Sequence, residues 1–174
     1  MGDHICGTVR YGTLRQLGIS GSNHPASASR RIIDTRTGNM LKTLTIRWQR
    51  LVDGQGRTCP RCQSTGDTVS ETFQKIGKAL AELGIDVELK MEPIDFPMFA
   101  NDPLQSNRIW IGGRLLEEWL GGTEGRSRCC EVCGEVDCRT ISVDDGTYEA
   151  IPEHLIVKAS LLAAAALFNG KRAE

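Results

Sequence analysis

Two cysteines two residues apart, Cys59-Pro60-Arg61-Cys62, join a segment with strand periodicity to one with helix periodicity, and this junction constrains the chain more than any other feature. Ahead of it, Leu41 to Val52 alternates apolar and polar residues over much of its length, as a half-buried strand does. Asp53-Gly54-Gln55-Gly56 then breaks the alternation. Behind it, Val69, Phe73, Ile76, Leu80 and Leu83 recur at the spacing of one helix face, and Gly84 stands where a helix ends. Ile85 to Ile94 reads as a second strand. A strand–helix–strand unit implies a parallel pair joined by a right-handed crossover, with the apolar stripe of the helix laid on the sheet.

The position of the pair decides its chemistry. At the start of a helix the unpaired first-turn N–H groups stabilise a thiolate, and the thiolate is the species that attacks a disulfide. Arg57 and Arg61 are expected to add positive charge beside it. The mechanism expected on these grounds has Cys59 attack a disulfide and Cys62 resolve the mixed disulfide. The competing structural reading makes Cys59 and Cys62 half of a zinc site.

Beyond Ile94 the pattern is shorter in range. Phe96 to Asn107, with two prolines, is expected to be irregular. Ile109-Trp110-Ile111, Gly112-Gly113 and Arg114-Leu115-Leu116 read as a hairpin with a glycine turn, and Glu117 to Leu120 as a short helical turn. Residues 121–138 read as a Gly- and Cys-rich loop. Residues 140–143 and 147–150, joined by Asp144-Asp145-Gly146, form a second hairpin candidate. Pro152 fits the first position of a closing helix that runs from Glu153 to about Phe168.

The remaining residues bound the function class. A length of 174 residues suits one domain, and a net charge of −1 offers no broad basic surface for nucleic acid or an anionic membrane. Residues 1–39 are unlike the rest. They carry a net charge of +3, leave −4 on residues 40–174, and show neither hydrophobic period. They read as a disordered leader, or as sequence upstream of a natural start at Met40, in which case Cys6 has no role. The ordered domain is expected over residues 40–174. No charged start followed by an apolar run marks a secretory signal, and the apolar stretch from Ala159 to Phe168 is too short to span a bilayer. The expected setting is the cytoplasm, where clustered cysteines more often do redox or metal work than form structural disulfides.

Seven cysteines are many for this length, and four of them fall within ten residues: Cys129, Cys130, Cys133 and Cys138. Four thiolates suit zinc, copper(I) or an iron–sulfur centre, yet vicinal cysteines are awkward ligands for one ion. Metal binding, a redox relay and two local disulfides all remain open for this cluster. No phosphate loop, dinucleotide-binding fingerprint or hydrolase elbow is present. His154 reads as a surface or packing residue, and His4 and His24 lie in the unpatterned leader. Trp48, Trp110 and Trp119 read as core or rim, Glu117 and Glu118 as a solvated helix face, and Asp144-Asp145 as turn chemistry.

Strand, Cys-Pro-Arg-Cys, helix, strand and then Ile109-Trp110-Ile111-Gly112-Gly113-Arg114 resembles the thioredoxin superfamily, particularly its small glutaredoxin-like members. More closely, residues 40 to about 166 resemble a thioredoxin-like family known as domain of unknown function 2703. The resemblance rests on Ile46-Arg47-Trp48-Gln49-Arg50-Leu51-Val52, on Thr58-Cys59-Pro60-Arg61-Cys62, and on Cys129-Cys130 with Cys133 and Cys138. It implies an α/β, thioredoxin-like fold: β-α-β, then a β-hairpin and α, with an inserted Cys-rich loop and an extra hairpin. It also implies that the loop after Leu116 emerges on the side of Cys59, so that the two cysteine clusters meet. The sequence departs from the superfamily where a cis-proline usually precedes the third strand: that place falls near Asn107, and the nearest proline is Pro103.

Two functions follow. The first is a thiol–disulfide oxidoreductase acting through Cys59 and Cys62 on a protein or small-molecule disulfide, in relay with the second cluster and without a cofactor. The alternative is a thiolate-binding protein for zinc, copper, mercury or arsenic that performs no turnover.

Overall fold

Trp48, Ile46 and Leu44 lie on one face of the first strand, β1 (Lys42–Leu51), and are almost wholly buried, so this strand is the centre of the core. The computed structural model describes residues 42–129, 133 and 135–169. The leader expected over residues 1–39, the start at Met40 and Cys130 lie outside them. The described residues belong to one compact unit, Leu41–Glu174.

β1 pairs in parallel with β2 (Ile85–Ile94) along its whole length, from Lys42 opposite Ile85 to Leu51 opposite Ile94. The helix α1 (Pro60–Ala81) joins them. On its other side β1 pairs antiparallel with β3 (Arg108–Ile111), which turns through Gly112-Gly113 into β4 (Arg114–Leu115). The sheet order is therefore β2-β1-β3-β4. Both glycines of the turn have positive φ, +60° and +89°, which explains why side-chain-bearing residues are not used there.

Two helices cover the face that bears Leu44, Ile46 and Trp48. α1 presents Cys62, Thr65, Gly66, Val69, Thr72, Ile76 and Leu80 inward, a stripe at helical spacing. Gly66 lies directly on the Trp48 ring, leaving no room for a Cβ. α4 (Glu153–Phe168) buries Leu155, Ile156, Ala159, Ser160, Ala163 and Ala164, and its alanines allow close approach: Ala163 and Leu44 together flank Gly112. On the opposite face the Arg47 guanidinium stacks on Trp110 at 3.6 Å, a cation–π contact.

A second, three-stranded antiparallel sheet follows, ordered β5 (Thr123–Arg128), β6 (Asp137–Val143) and β7 (Gly146–Tyr148). Among the described residues the fold is thus mixed α/β, with two sheets and four α-helices. No described helix is long and apolar enough to cross a membrane.

Several expectations require correction. Phe96–Asn101 is a helix, α2, and Pro103–Gln105 a single 3₁₀ turn. The prolines do not break these elements, because they stand in the first turn, where a proline gives up no hydrogen bond. Each start is capped by an aspartate: Asp95 accepts the Met98 N–H (2.9 Å) and Asp102 accepts the Leu104 N–H (3.1 Å).

The segment 121–138, read as a loop, contains all of β5 and the beginning of β6. β5 is Thr-Glu-Gly-Arg-Ser-Arg, with no apolar residue to mark it, and it exists because its backbone pairs with β6. Leu116 opens a helix, α3 (Leu116–Leu120), instead of ending a strand. Leu83 lies beyond the end of α1 and is exposed, whereas Thr65 and Gly66 extend the buried stripe toward Cys62 and Thr72 lies within it. Pro152 caps α4 rather than occupying its first turn, and the last strand ends at Tyr148. In the β6–β7 hairpin the two-residue turn is Asp144-Asp145, with Asp144 at φ 52° and Gly146 already paired to Val143.

Candidate functional site

The loop that delivers the first cysteine pair is fixed by one side chain. Asp53 accepts the backbone N–H groups of Gln55 (2.9 Å) and Arg57 (2.8 Å) and pairs with the Arg57 guanidinium at 2.8 Å. These contacts, the Arg57 backbone N–H foremost, hold the Asp53 carboxyl below its ordinary value. Arg57 is thereby committed to Asp53.

Cys59 then stands at the N-cap of α1, Pro60 opens the helix, and Cys62 completes the first turn. The Cys59 thiol is driven far below its ordinary value. The foremost cause is a hydrogen bond from the Cys133 thiol, followed by one from the Cys62 thiol, and then by the backbone N–H groups of Cys62 and Arg61. Desolvation opposes the shift and is outweighed. Cys62 is driven the other way, first because its proton is donated to Cys59 and second by burial. The two shifts are opposed, Cys59 toward the thiolate and Cys62 toward the thiol.

The Cys62 sulfur lies 3.5 Å from the Ser106 hydroxyl, which in turn accepts the Leu51 N–H at 3.0 Å. Ser106 is held by the backbone just ahead of β3, next to Asn107, a non-glycine residue at φ 61°. Asn107 is locked from both sides. Its side-chain oxygen accepts the Trp48 indole N–H (3.2 Å) and its amide donates to the Glu149 carbonyl (3.1 Å). A serine and an asparagine therefore stand where the sequence reading looked for a proline. No peptide bond among the described residues is cis.

Arg61 does not serve as a charge over the thiolate. Its guanidinium donates to the Ser127 hydroxyl and the Arg128 carbonyl, both at 2.7 Å, and pairs with Glu149 at 3.0 Å. It fastens the start of α1 to the end of β5.

The second cluster meets the first at this junction. Cys129 is joined to Cys138 by a disulfide, with the Cα atoms 5.1 Å apart. Cys59, Cys62 and Cys133 remain thiols, all buried. The sulfurs of Cys59, Cys129 and Cys133 lie within 4.8 Å of one another. Of the residues taken from the sequence as a second set, Cys129 and Cys133 are brought to Cys59, Cys138 is reached only through its bond to Cys129, and Cys130 is outside the described residues. With the Cys129–Cys138 disulfide formed, the arrangement can transfer a disulfide between sulfurs. With Cys129 and Cys138 reduced, it can offer three converging thiolates to a soft ion.

Residues 44–160 match the family model described as Domain of unknown function (DUF2703). The chain belongs to the DUF2703 family. A relative, an uncharacterized protein of Archaeoglobus fulgidus, is 42% identical over 117 residues, covering 65% of this chain and 82% of its own length. No solved structure matches the chain. The DUF2703 match spans both cysteine clusters together with Ser106, Asn107 and Arg61.

Two features of this site were beyond sequence reasoning. Ser106 is an unremarked serine in an irregular stretch, and only the pairing of β1 with β3 carries it to Cys62. Arg139 is the other. It lies on β6 with a side chain only 1% exposed, pairs with Glu117 of α3 and Glu124 of β5, and donates to the Leu104 carbonyl at 3.4 Å. Glu117, read as part of a solvated face, is therefore buried and paired. Glu118 instead sits exposed at the start of α3, where it accepts the Leu115 N–H. The ion cluster pins the second sheet to α3 and so holds the strand that leads into Cys129.

Proposed function

We propose that this protein is a thioredoxin-like thiol–disulfide oxidoreductase in which Cys59 is the attacking thiolate and Cys62 the resolving thiol. The observation that carries the reading is the division of the pair at the start of α1. The Cys133 and Cys62 thiols beside Cys59 push it toward the thiolate, whereas Cys59 and burial push Cys62 toward the thiol. A β-α-β unit followed by a β-hairpin and a helix, with sheet order β2-β1-β3-β4, supports the thioredoxin-like assignment. The substrate is a protein or small-molecule disulfide, and the reaction needs no cofactor. The proposed setting is a reducing cytoplasm, where a disulfide such as Cys129–Cys138 is more often catalytic than structural.

In the reaction the Cys59 thiolate attacks one substrate sulfur, and the other leaves as a thiolate. Cys62, deprotonated as the mixed disulfide forms, then attacks Cys59 and releases the reduced substrate. The assay is reduction of glutathione disulfide or insulin with dithiothreitol as the electron source. Cys59→Ser is expected to reduce the rate to background, and Cys62→Ser to accumulate a mixed disulfide with the substrate. Undiminished turnover by Cys59→Ser sinks the assignment.

One observation favours a second reading. The three converging sulfurs of Cys59, Cys129 and Cys133 suit zinc, copper(I), mercury(II) or arsenic(III) once the disulfide is reduced. Metal retained by anaerobically purified protein, together with no exchange activity, would select thiophilic-metal binding over catalysis.

A further inference from the structure

The sulfurs of the first pair are poorly placed to meet an outside partner. Cys59 and Cys62 are each only 3% exposed, so direct exchange of Cys59 with an outside disulfide is slowed by access. Cys129 is half-buried, packed at the margin of the core. Its sulfur lies within 4.8 Å of the Cys59 sulfur and is already engaged in a disulfide. Reacting atoms attack from about 3–3.5 Å, so a movement of roughly 1–2 Å brings Cys59 onto Cys129.

The juxtaposition is built. Arg61, the residue between Pro60 and Cys62, holds the Ser127 hydroxyl and the Arg128 carbonyl, the two residues immediately before Cys129. The Cys129 N–H is itself tied to the Val136 carbonyl at 3.0 Å, which closes the loop that carries Cys133.

Resting on the exchange reading above, we propose that Cys129 is the sulfur through which the buried Cys59–Cys62 pair is oxidised and reduced, with Cys129–Cys138 as an internal exchange disulfide whose Cys129 end is the more exposed. In the forward step the Cys59 thiolate attacks the Cys129 sulfur. A Cys59–Cys129 bond forms, the Cys129–Cys138 bond breaks, and Cys138 leaves as a thiolate. The Cys62 proton passes to that thiolate, and the Cys62 sulfur attacks Cys59. A Cys59–Cys62 disulfide forms and Cys129 leaves as a thiolate. Two thiol sulfurs have been oxidised and one disulfide reduced, with the proton and the negative charge both now on the Cys129/Cys138 pair. No outside oxidant enters this transfer, and the partner's disulfide or dithiol reacts faster at Cys129 than at Cys59 directly. Arg61 is a positioning residue in this scheme.

The test uses the full chain, reduced, freed of reductant and then exposed to glutathione disulfide. Samples are quenched in acid, alkylated and mapped by tandem mass spectrometry. The expected result is that Cys129→Ser slows formation of the Cys59–Cys62 disulfide about tenfold or more, because access limits exchange at a buried sulfur. An unchanged rate in Cys129→Ser overturns the relay and leaves the oxidoreductase reading standing. A wild-type Cys59–Cys62 pair that never exchanges overturns both. A second variant, Cys62→Ser/Cys130→Ser/Cys138→Ser, cannot complete the transfer and is expected to accumulate a Cys59–Cys129 disulfide. Accumulation of Cys59–Cys133 in its place, or of neither, overturns the proposed route.

Discussion

Replacing Cys133 by alanine probes the electrostatics of the site most directly. The Cys133 thiol is the foremost cause holding the Cys59 thiol below its ordinary value of 9.0. A hydrogen bond to a charged group contributes about 1.5–3 kcal/mol, and one pKa unit corresponds to about 1.36 kcal/mol, so Cys133→Ala is expected to raise the Cys59 value by roughly one to two units. Cys133→Ser keeps a donor and falls between. Thiolate absorbance titration reads the shift, with Cys59→Ser as the blank. Cys62, raised by its bond to Cys59 and by burial, contributes no competing step at low pH.

The same bond appears in stability. Cys59 is lowered by folding, so its contribution is complete above the ordinary thiol value of 9.0 and is lost as pH falls through the folded value. Cys62 is raised by folding, so its contribution is present below 9.0 and is lost as pH rises toward its folded value. The pair therefore favours the folded state most near the ordinary thiol value. The hydrogen-bond part of the loss in Cys133→Ala, about 1.5–3 kcal/mol at neutral pH, fades in acid, while the cavity part does not depend on pH. A Cys59 titration that stays in place in a folded Cys133→Ala variant would refute the assignment of Cys133 as the principal donor.

Two further variants test the scaffold. Gly66→Ala forces a methyl group into the Trp48 ring beneath α1, and is expected to cost about 1–3 kcal/mol in urea unfolding; a neutral result means that the helix does not rest on the ring. Arg139→Met strips the buried Glu117 of its partner and is expected to cost about 3–5 kcal/mol, part of which Arg139→Met/Glu117→Gln recovers by removing the orphaned charge. An equal loss in single and double variants contradicts that account.

The long elements were legible because each has a face that must be apolar. Leu44, Ile46 and Trp48 announce β1, and Val69, Ile76 and Leu80 announce α1. The glycine turn at Gly112-Gly113 was legible because it needs residues that accept positive φ. β5 was not, since a strand of Thr, Glu, Gly, Arg and Ser leaves no hydrophobic trace and is held by backbone pairing to β6. Nor was α2, whose Pro97 looks like a breaker until Asp95 is seen to cap the helix.

By itself the sequence determined that a cysteine pair opens a helix between two strands, because hydrophobic period, breaker and spacing are all local signals. What the other cysteines do at that place was decided only by the tertiary structure. Cys133 gives Cys59 its hydrogen bond, Ser106 meets Cys62, and Arg61 spends its charge on Glu149 and on the strand before Cys129. These partners are separated from the pair by long stretches of chain, and a thiol's acidity depends on what surrounds it rather than on what precedes it.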